Sequence, residues 1–336
     1  MGERLHQEIL HAWETKNFLF YWLLVPLSWL FRVLVFCRRW LYRLNVLKSS
    51  ALPVPVIVVG NINLGGSGKT PLVIWLVQQL RAQGYHPGVV SRGYGGNVNA
   101  PTAVTDVSDP AVCGDEPVLI AKRTGAPIWI GRKRVAVAQD LLQANPECDV
   151  IITDDGLQHY RLKRDMEIAV VDATLHLQRA RMLPAGPLRE PVSRLKEVDA
   201  VVVNGGDTQT DIISMRLSGG VFYNLANPQI TAKPADFKRK SIKAMAAIGN
   251  PQRFFEHLRE IGLTFASVSF DDHHPFSARD LAEMDCDVLI MTEKDAVKCK
   301  PYAQAHHWVL PVEAELSPGL LDKVLKIVKK GSQHHG

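Results

Sequence analysis

The run Gly65-Gly66-Ser67-Gly68-Lys69-Thr70 constrains the fold more than any other stretch of this chain. It follows a β-branched segment, Val54 to Val59, that ends at Gly60 and reads as a buried parallel strand. Asn61 to Gly68 then reads as a glycine-rich turn, and Lys69 to Ala82 as a helix with Leu72, Leu76 and Leu80 on one face. A strand, a glycine turn and a helix opening on Lys-Thr form the context of a P-loop. They predict an α/β fold: a P-loop NTPase-like, doubly wound and mostly parallel sheet.

The residue types explain the chemistry. Glycines let backbone N–H groups converge on phosphate oxygens at the positive end of a helix. Asn63, Leu64, Gly65, Gly66, Ser67 and Gly68 are therefore assigned to a nucleotide. Lys69 would neutralise its β- and γ-phosphates, and Thr70 would present its hydroxyl to Mg²⁺. Asn63 stands where the usual pattern has glycine, and Gly65 and Gly66 supply the flexibility instead.

Such a turn needs an acidic partner at a strand end. Asp149 to Thr153 is a strand of that kind, and it runs into Asp154-Asp155-Gly156-Leu157-Gln158-His159. Adjacent carboxylates after an apolar strand are costly unless they meet a cation or a hydrogen-bond donor. Asp154 is assigned to the Mg²⁺ shell. Asp155 and His159, four apart, could pair on one face of a helical turn, and an ordinary Asp cap is the plainer alternative.

Strands and helices go on alternating. Pro87 to Val90, Pro127 to Ile130, Ile168 to Val171 and Ala200 to Val203 read as strands, the last ending in Asn204-Gly205-Gly206. Residues near 218–235 look irregular, which predicts a P-loop domain over 51–220 and a smaller C-terminal α/β domain over 221–330. The tail 331–336 is expected to fray. Five scattered cysteines, none spaced as C-x-x-C, argue against a disulfide framework or a zinc site.

The net charge is +5, and residues 1–50, with seven Lys/Arg and three Glu, hold most of it. The rest is nearly neutral, so no nucleic-acid partner is expected, and no protein partner is indicated. From Phe18 to Phe31 the chain has fourteen uncharged residues, and Phe18 to Cys37 reaches the length of a membrane crossing. Pro26 and Arg32 interrupt it. Trp13, Trp22, Trp29 and Trp40 suit a membrane interface, and Arg32, Arg38, Arg39, Arg43 and Lys48 follow with no acid among them. Residues 1–50 are therefore expected to form a membrane-associated helix, spanning or interfacial, with the body on the cytoplasmic side; a buried core helix is the alternative.

In order along the chain stand VVGNINLGGSGKTP, Ser91-Arg92-Gly93-Tyr94-Gly95, Gly114-Asp115-Glu116-Pro117, Asp154 to His159, Pro184-Ala185-Gly186-Pro187-Leu188-Arg189-Glu190, Ile248-Gly249-Asn250-Pro251, Asp272-His273-His274 and Thr292-Glu293-Lys294-Asp295. Together they resemble the tetraacyldisaccharide 4′-kinases, the lipid A 4′-kinases of Gram-negative envelope synthesis. The resemblance implies ATP and Mg²⁺ as co-reactants and a lipid disaccharide 1-phosphate as acceptor, phosphorylated at its 4′-hydroxyl on the cytoplasmic face of the inner membrane.

Transfer needs a carboxylate to receive the hydroxyl proton. Asp115 is the first candidate, held between Gly114 and Pro117 in what reads as a tight exposed turn; a helix cap is the alternative. Asp155 with His159 is the second. The resemblance raises His273 to an active-site group, and Arg92 is assigned to phosphate, with a plain loop arginine as the alternative. A different class, a membrane-recruited P-loop GTPase or metal-insertion chaperone, is suggested by the His pairs and the altered P-loop. The missing Cys/His cluster weighs against it.

Overall fold

The computed structural model describes residues 18–93, 96, 98, 100–175, 177, 180–206 and 212–334. Helix α1 (Phe18–Arg43) precedes strand β1 (Val56–Gly60), which passes through the glycine turn into α2 (Lys69–Ala82). Next come β2 (Pro87–Ser91), β3 (Thr102–Val104), a short α3 (Pro110–Cys113), α4 (Asp115–Thr124), β4 (Ile128–Ile130) and α5 (Arg134–Ala144). Strands β5 (Val150–Thr153), β6 (Met166–Asp172), β7 (Ala200–Asn204), β8 (Ile213–Ser218), β9 (Phe222–Asn224), β10 (Thr231–Ala232) and β11 (Ile242–Ala246) follow. The chain continues with α6 (Pro251–Glu260), β12 (Ala266–Ser269), α7 (Ala278–Ala282), β13 (Val288–Thr292), α8 (Glu293–Cys299), β14 (His307–Leu310), β15 (Glu313–Leu316) and α9 (Leu320–His334).

Two sheets result. The larger runs β15-β8-β7-β6-β1-β5-β2-β4-β3 and is parallel from β8 to β4, with antiparallel strands at both edges. Its central strand β1 is buried at all five positions, as a strand covered on both faces must be. Leu72, Leu76 and Leu80 of α2 pack on one face with Val118 and Ile120 of α4; Val137 and Leu141 of α5 cover the other. Each fully buried aliphatic side chain contributes about 1.5–3 kcal/mol, so the sheet fixes the glycine turn and the end of β5 side by side. The smaller sheet, β10-β9-β14-β13-β11-β12, is parallel from β14 to β12 and carries α6 on one face and α8 on the other.

The expected C-terminal boundary does not hold. β15 pairs antiparallel with β8, and Leu320, Val324 and Val328 of α9 lie in the core of the large sheet. The chain therefore leaves the P-loop lobe after β8 and comes back to it at β15. Residues 331–334 of the tail continue α9, and 335–336 lie outside the described residues.

The lobes also touch directly. Gly66 faces the turn after β11, where a Cβ on Gly66 would lie 3.4 Å from Gly249 Cα. Arg253 Nη2, from α6, donates to Asp172 Oδ1 at 2.6 Å and to Asn204 O at 3.3 Å.

Helix α1 leans on the P-loop lobe along one stripe. Leu24 is buried, Ser28 Oγ donates to Met182 O at 2.7 Å, and Phe31 and Val35 pack against Ile62, Met182 and Leu188. Arg38 stacks on Tyr160, and Arg39 and Arg43 pair with Glu197. Away from that stripe Leu23, Leu27, Trp29, Leu30, Val33, Leu34, Phe36 and Trp40 are exposed, with Arg32 among them. No helix among the described residues is long and apolar enough to cross a membrane. Trp13 lies outside the described residues.

A Cβ on Gly249 would collide with the backbone of Gly66. Gly249→Ala is expected to destabilise the protein by about 1–3 kcal/mol, as overpacking does. Thermal unfolding of the variant checks this, and an unchanged midpoint would mean that the lobes do not abut there.

Candidate active site

Asp154 and Asp155 leave β5 together and meet opposite surroundings. Asp154 is 1% exposed, and its Oδ2 accepts from Ser91 Oγ at 3.3 Å while Oδ1 has no hydrogen-bond partner among the described residues. Burial and the nearby Glu116 charge push its carboxyl up to about 7, against the pull of Lys69. Asp155 stands at φ 52, which turns its carboxylate toward two cations. Lys69 Nζ is 3.6 Å from Oδ1, and Arg189 Nη1 donates to Oδ2 at 3.0 Å. Burial alone would raise Asp155, but Lys69 and Arg189 outweigh it and hold the carboxyl near 2.

The helical turn expected after β5 does not form. Residues 154–160 make successive turns, and Asp155 binds Lys69 and Arg189 rather than His159. Two cations outcompete a neutral ring. Burial and the Arg134 charge push His159 down to about 4, so it is neutral near pH 7. Arg134 is buried, donates to Gly131 O at 2.8 Å and to Asp154 O at 3.4 Å, and closes the floor of the site. Arg92 is exposed, and its charge acts on both His159 and Arg134; Tyr94 and Gly95 beside it lie outside the described residues.

The glycine turn is held from two sides. Leu64 N donates to Pro187 O at 2.8 Å, and Asn63 forms a bridge with Leu188, so the Pro184–Glu190 segment runs along it. Asn63 Nδ2 donates to Leu64 O at 2.7 Å, which tightens the turn where glycine is usual. On the other side Asn204 Nδ2 donates to Ser67 O at 3.1 Å. Gly68 caps α2 at φ 91, a conformation costly for other residues, and leaves the helix's first N–H groups without a side-chain cap. Gly65 and Gly66 are exposed at the tip, and Thr70 sits in the first turn of α2.

Asp115 is not in an exposed turn. It opens α4 after Gly114 and is 4% exposed. The cap alternative does not hold either: Gly114 occupies the cap position with no side-chain cap bond, and Asp115 Oδ1 accepts only from the next residue, Glu116 N, at 2.9 Å. Its main partner comes from the other lobe: His273 Nδ1 lies 3.1 Å from both carboxylate oxygens. His273, at φ 64, follows β12, and its N–H donates to Ala247 O at 3.4 Å, next to the turn that touches Gly66. The carboxylate-held imidazole of this protein is therefore Asp115–His273. Burial would raise Asp115, but the His273 hydrogen bond and the charges of Lys294, His273 and Lys298 lower it. Burial would lower His273, but Asp115 raises it.

Three residues of this cluster were given no role by the sequence, although two of them stand in its motifs. Arg189 is one, and its position beside Glu190 after a proline-glycine loop is only a weak signal. Lys294 and Lys298 are the others. Their four-residue spacing on a helix gives one shared face, but nothing local says that this face meets Asp115.

A family model described as tetraacyldisaccharide-1-P 4′-kinase matches residues 20–329. The chain is similar to the tetraacyldisaccharide 4′-kinase of Azoarcus sp., 49% identical over 315 residues and 92% of each chain. It is similar to the enzyme of the same name from Methylobacillus flagellatus, 49% identical over 303 residues and 90% of each chain. Among solved structures it resembles LpxK from Aquifex aeolicus, described in complex with ATP, with a TM-score of 0.77 and 27% identity over 93% of this chain and 99% of that one.

The raised His273 pKa contributes stability that is complete below its ordinary 6.5 and is lost as pH rises through the folded value. Asp115→Asn removes the charge that holds it up. A histidine NMR titration should place His273 above 6.5 in the wild type and lower in Asp115→Asn. Equal values in the two proteins would exclude the pairing.

Proposed function

The chain belongs to the tetraacyldisaccharide-1-phosphate 4′-kinase family, and from that premise we propose how its residues carry out the transfer. The protein is an ATP-dependent kinase of lipid A biosynthesis that phosphorylates the 4′-hydroxyl of a tetraacyldisaccharide 1-phosphate. A GTPase or metal-insertion chaperone is not favoured by this membership.

The turn at Gly65 to Thr70 receives the phosphates of ATP on backbone N–H groups, with Lys69 bringing its charge to the γ-phosphate. In the structure Lys69 is paired with Asp155, and Asp155 is shared with Arg189; phosphate binding would draw on a lysine already held in place. Mg²⁺ fits the donors beside it. Asp154 offers a buried carboxylate oxygen with no partner, and the Thr70 hydroxyl lies in the first helical turn. One carboxylate and one hydroxyl suit an ion that takes its other ligands from water and the substrate phosphates. Bound there, it would neutralise charge on the β- and γ-oxygens.

The Asp115–His273 pair carries the proposed proton transfer. As the 4′-oxygen bonds to the γ-phosphorus, its O–H bond breaks toward Asp115. The bond from phosphorus to the bridging oxygen then gives its electron pair to ADP. Glu116, next to Asp115, lies near enough to raise Asp154, which supports one shared reaction space. Arg92 and His159 line the same space and suit contacts with phosphate or sugar.

Helix α1 fits a membrane role. Its exposed apolar face, tryptophans and following arginines match a helix lying in the interface of the inner membrane, with the body on the cytoplasmic side. An acceptor with four acyl chains resides there, since each methylene buried in lipid contributes about 0.8 kcal/mol.

Product mass from ATP, Mg²⁺ and disaccharide 1-phosphate tests the assignment. Lys69→Ala and Asp154→Ala are expected to abolish turnover in folded protein, and wild-type rates in either would remove the P-loop assignment. Asp115→Asn should lower kcat by about 10²–10⁴ with ATP affinity little changed. His273→Ala added to Asp115→Asn should cost little more, because the pair acts as a unit; full additivity would argue for separate roles. Deleting residues 1–45 should reduce vesicle flotation and lipid turnover while ATP binding persists. A truncated protein that floats fully would assign membrane binding to another surface.

A further inference from the structure

The inward stripe of α1 keeps a strict helical period. Leu24, Ser28, Phe31, Val35, Arg39 and Tyr42 recur every three or four residues and are covered, whereas Leu23, Leu27, Leu30 and Leu34 are exposed. A helix that served only to hold a membrane would need no fitted contact with the body beneath it. Here the inward residues meet defined partners: Phe31 and Val35 pack with Ile62, Met182 and Leu188, and Ser28 Oγ donates to Met182 O at 2.7 Å.

Two of those partners belong to one tight loop. Leu183 N donates to Leu188 O at 2.9 Å, and Leu188 N donates to Arg181 O at 3.0 Å. A Cβ on Gly186 would lie 2.4 Å from Arg181 O, so the loop has little room to repack. It is also zipped to the segment between β1 and the glycine turn. Arg189 N and Glu190 N donate to Ile62 O at 2.7 and 3.2 Å, and Leu64 N donates to Pro187 O at 2.8 Å. From this loop the Arg189 side chain reaches Asp155, which pairs with Lys69.

The far end of α1 braces the exit of the same loop. Arg38 lies over Tyr160, whose hydroxyl donates to Glu190 Oε1, and Arg194 Nε is 3.2 Å from Glu190 Oε2. Glu190 is buried, so the residue after Arg189 is fixed through both its backbone and its side chain.

We propose that the inward face of α1 is a positioning element of the phosphoryl transfer: Ser28, Phe31 and Val35 hold the 181–190 loop in the place that sets Arg189 on Asp155, and through Asp155 they set Lys69. The inference rests on the phosphate-site reading above and gives α1 a part in turnover distinct from membrane binding. The outward face serves the lipid and the inward face serves the charged group beside the glycine turn.

Four variants of the full chain test this: Phe31→Ala, Phe31→Leu, Arg189→Ala and the double variant of Phe31→Ala with Arg189→Ala. The acceptor lipid is presented in detergent micelles, where vesicle binding is not required. Phe31→Ala should lower kcat by about tenfold or more with KM for lipid unchanged, and should still float with vesicles. Phe31→Leu, which refills most of the space, should recover most of kcat. In the Arg189→Ala background, Phe31→Ala should cost less than about twofold further, since both act through one group. An equal cost in both backgrounds overturns the proposal.

Hydrogen exchange of the ligand-free protein gives a readout without turnover. In Phe31→Ala the amides of Leu64, Arg189 and Glu190 should exchange about tenfold faster or more, while those of β13 keep their rates. Unchanged exchange at the first three, or wild-type kcat with flotation lost, overturns the proposal and leaves α1 as an anchor alone. If Phe31→Ala does not fold, Ser28→Ala takes its place with the same expectations, because it removes only the hydroxyl bound to Met182 O. Wild-type turnover in Lys69→Ala would remove the phosphate-site reading instead, a result separate from the exchange rates.

Discussion

Two neighbouring carboxylates at the end of β5 must behave differently, and the arrangement around them organises this protein. Asp155 is held by Lys69 and Arg189 and stays ionised, whereas Asp154 is buried with one oxygen free and binds protons more readily. Environments that push two like groups apart in pKa give them different tasks. The left-handed backbone at Asp155 makes the division possible, because it turns the second side chain away from the first. The same contact orients Lys69 at the mouth of the glycine turn and ties in the segment that carries Arg189. Lys69, Asp155 and Arg189 thus form one connected charged group beside the glycine turn.

Much of this lobe was legible in the sequence because its signals are local. Val56 to Gly60 and Val150 to Thr153 are short β-branched runs, and both are buried strands. The glycines before Lys69 and the leucine stripe of α2 lie where their spacing put them. The pairings were less legible. Asp155 and His159 are four apart, which implies contact only on a helix, and no helix forms there. Asp115 and His273 are 158 positions apart, and no periodicity could join them. Lys294 reaches the site only because β13 lies beside β11 and aims α8 at the first lobe. Chemistry shared across two lobes is written in tertiary packing, so composition and spacing identify the participants and not their partners.

Helix α1 shows a similar limit. Its hydrophobic run was readable, but which of its side chains pack on the protein's own body was not. Ser28 and the Leu24, Phe31 and Val35 stripe serve the protein's own surface, whereas Leu23, Leu27, Trp29, Leu30, Val33, Leu34, Phe36 and Trp40 are exposed. Arg38, at the far end, stacks on Tyr160, whose hydroxyl bonds Glu190 beside Arg189. The helix is therefore in physical continuity with the glycine turn through Arg189, Asp155 and Lys69.

The return of the chain at β15 has a consequence for the order of assembly on the ribosome. Leu320, Val324 and Val328 belong to the core that α2 and the large sheet share, yet they are translated after the whole second lobe. The smaller sheet holds all of its strands between residues 222 and 310 and can pair as soon as that stretch has emerged. The lobe that begins first thus finishes last, with the helix behind its glycine turn left partly uncovered until the final residues are released. Contacts this distant in sequence are slow to close, and the exposed apolar surface they leave meanwhile is a target for chaperones or for aggregation.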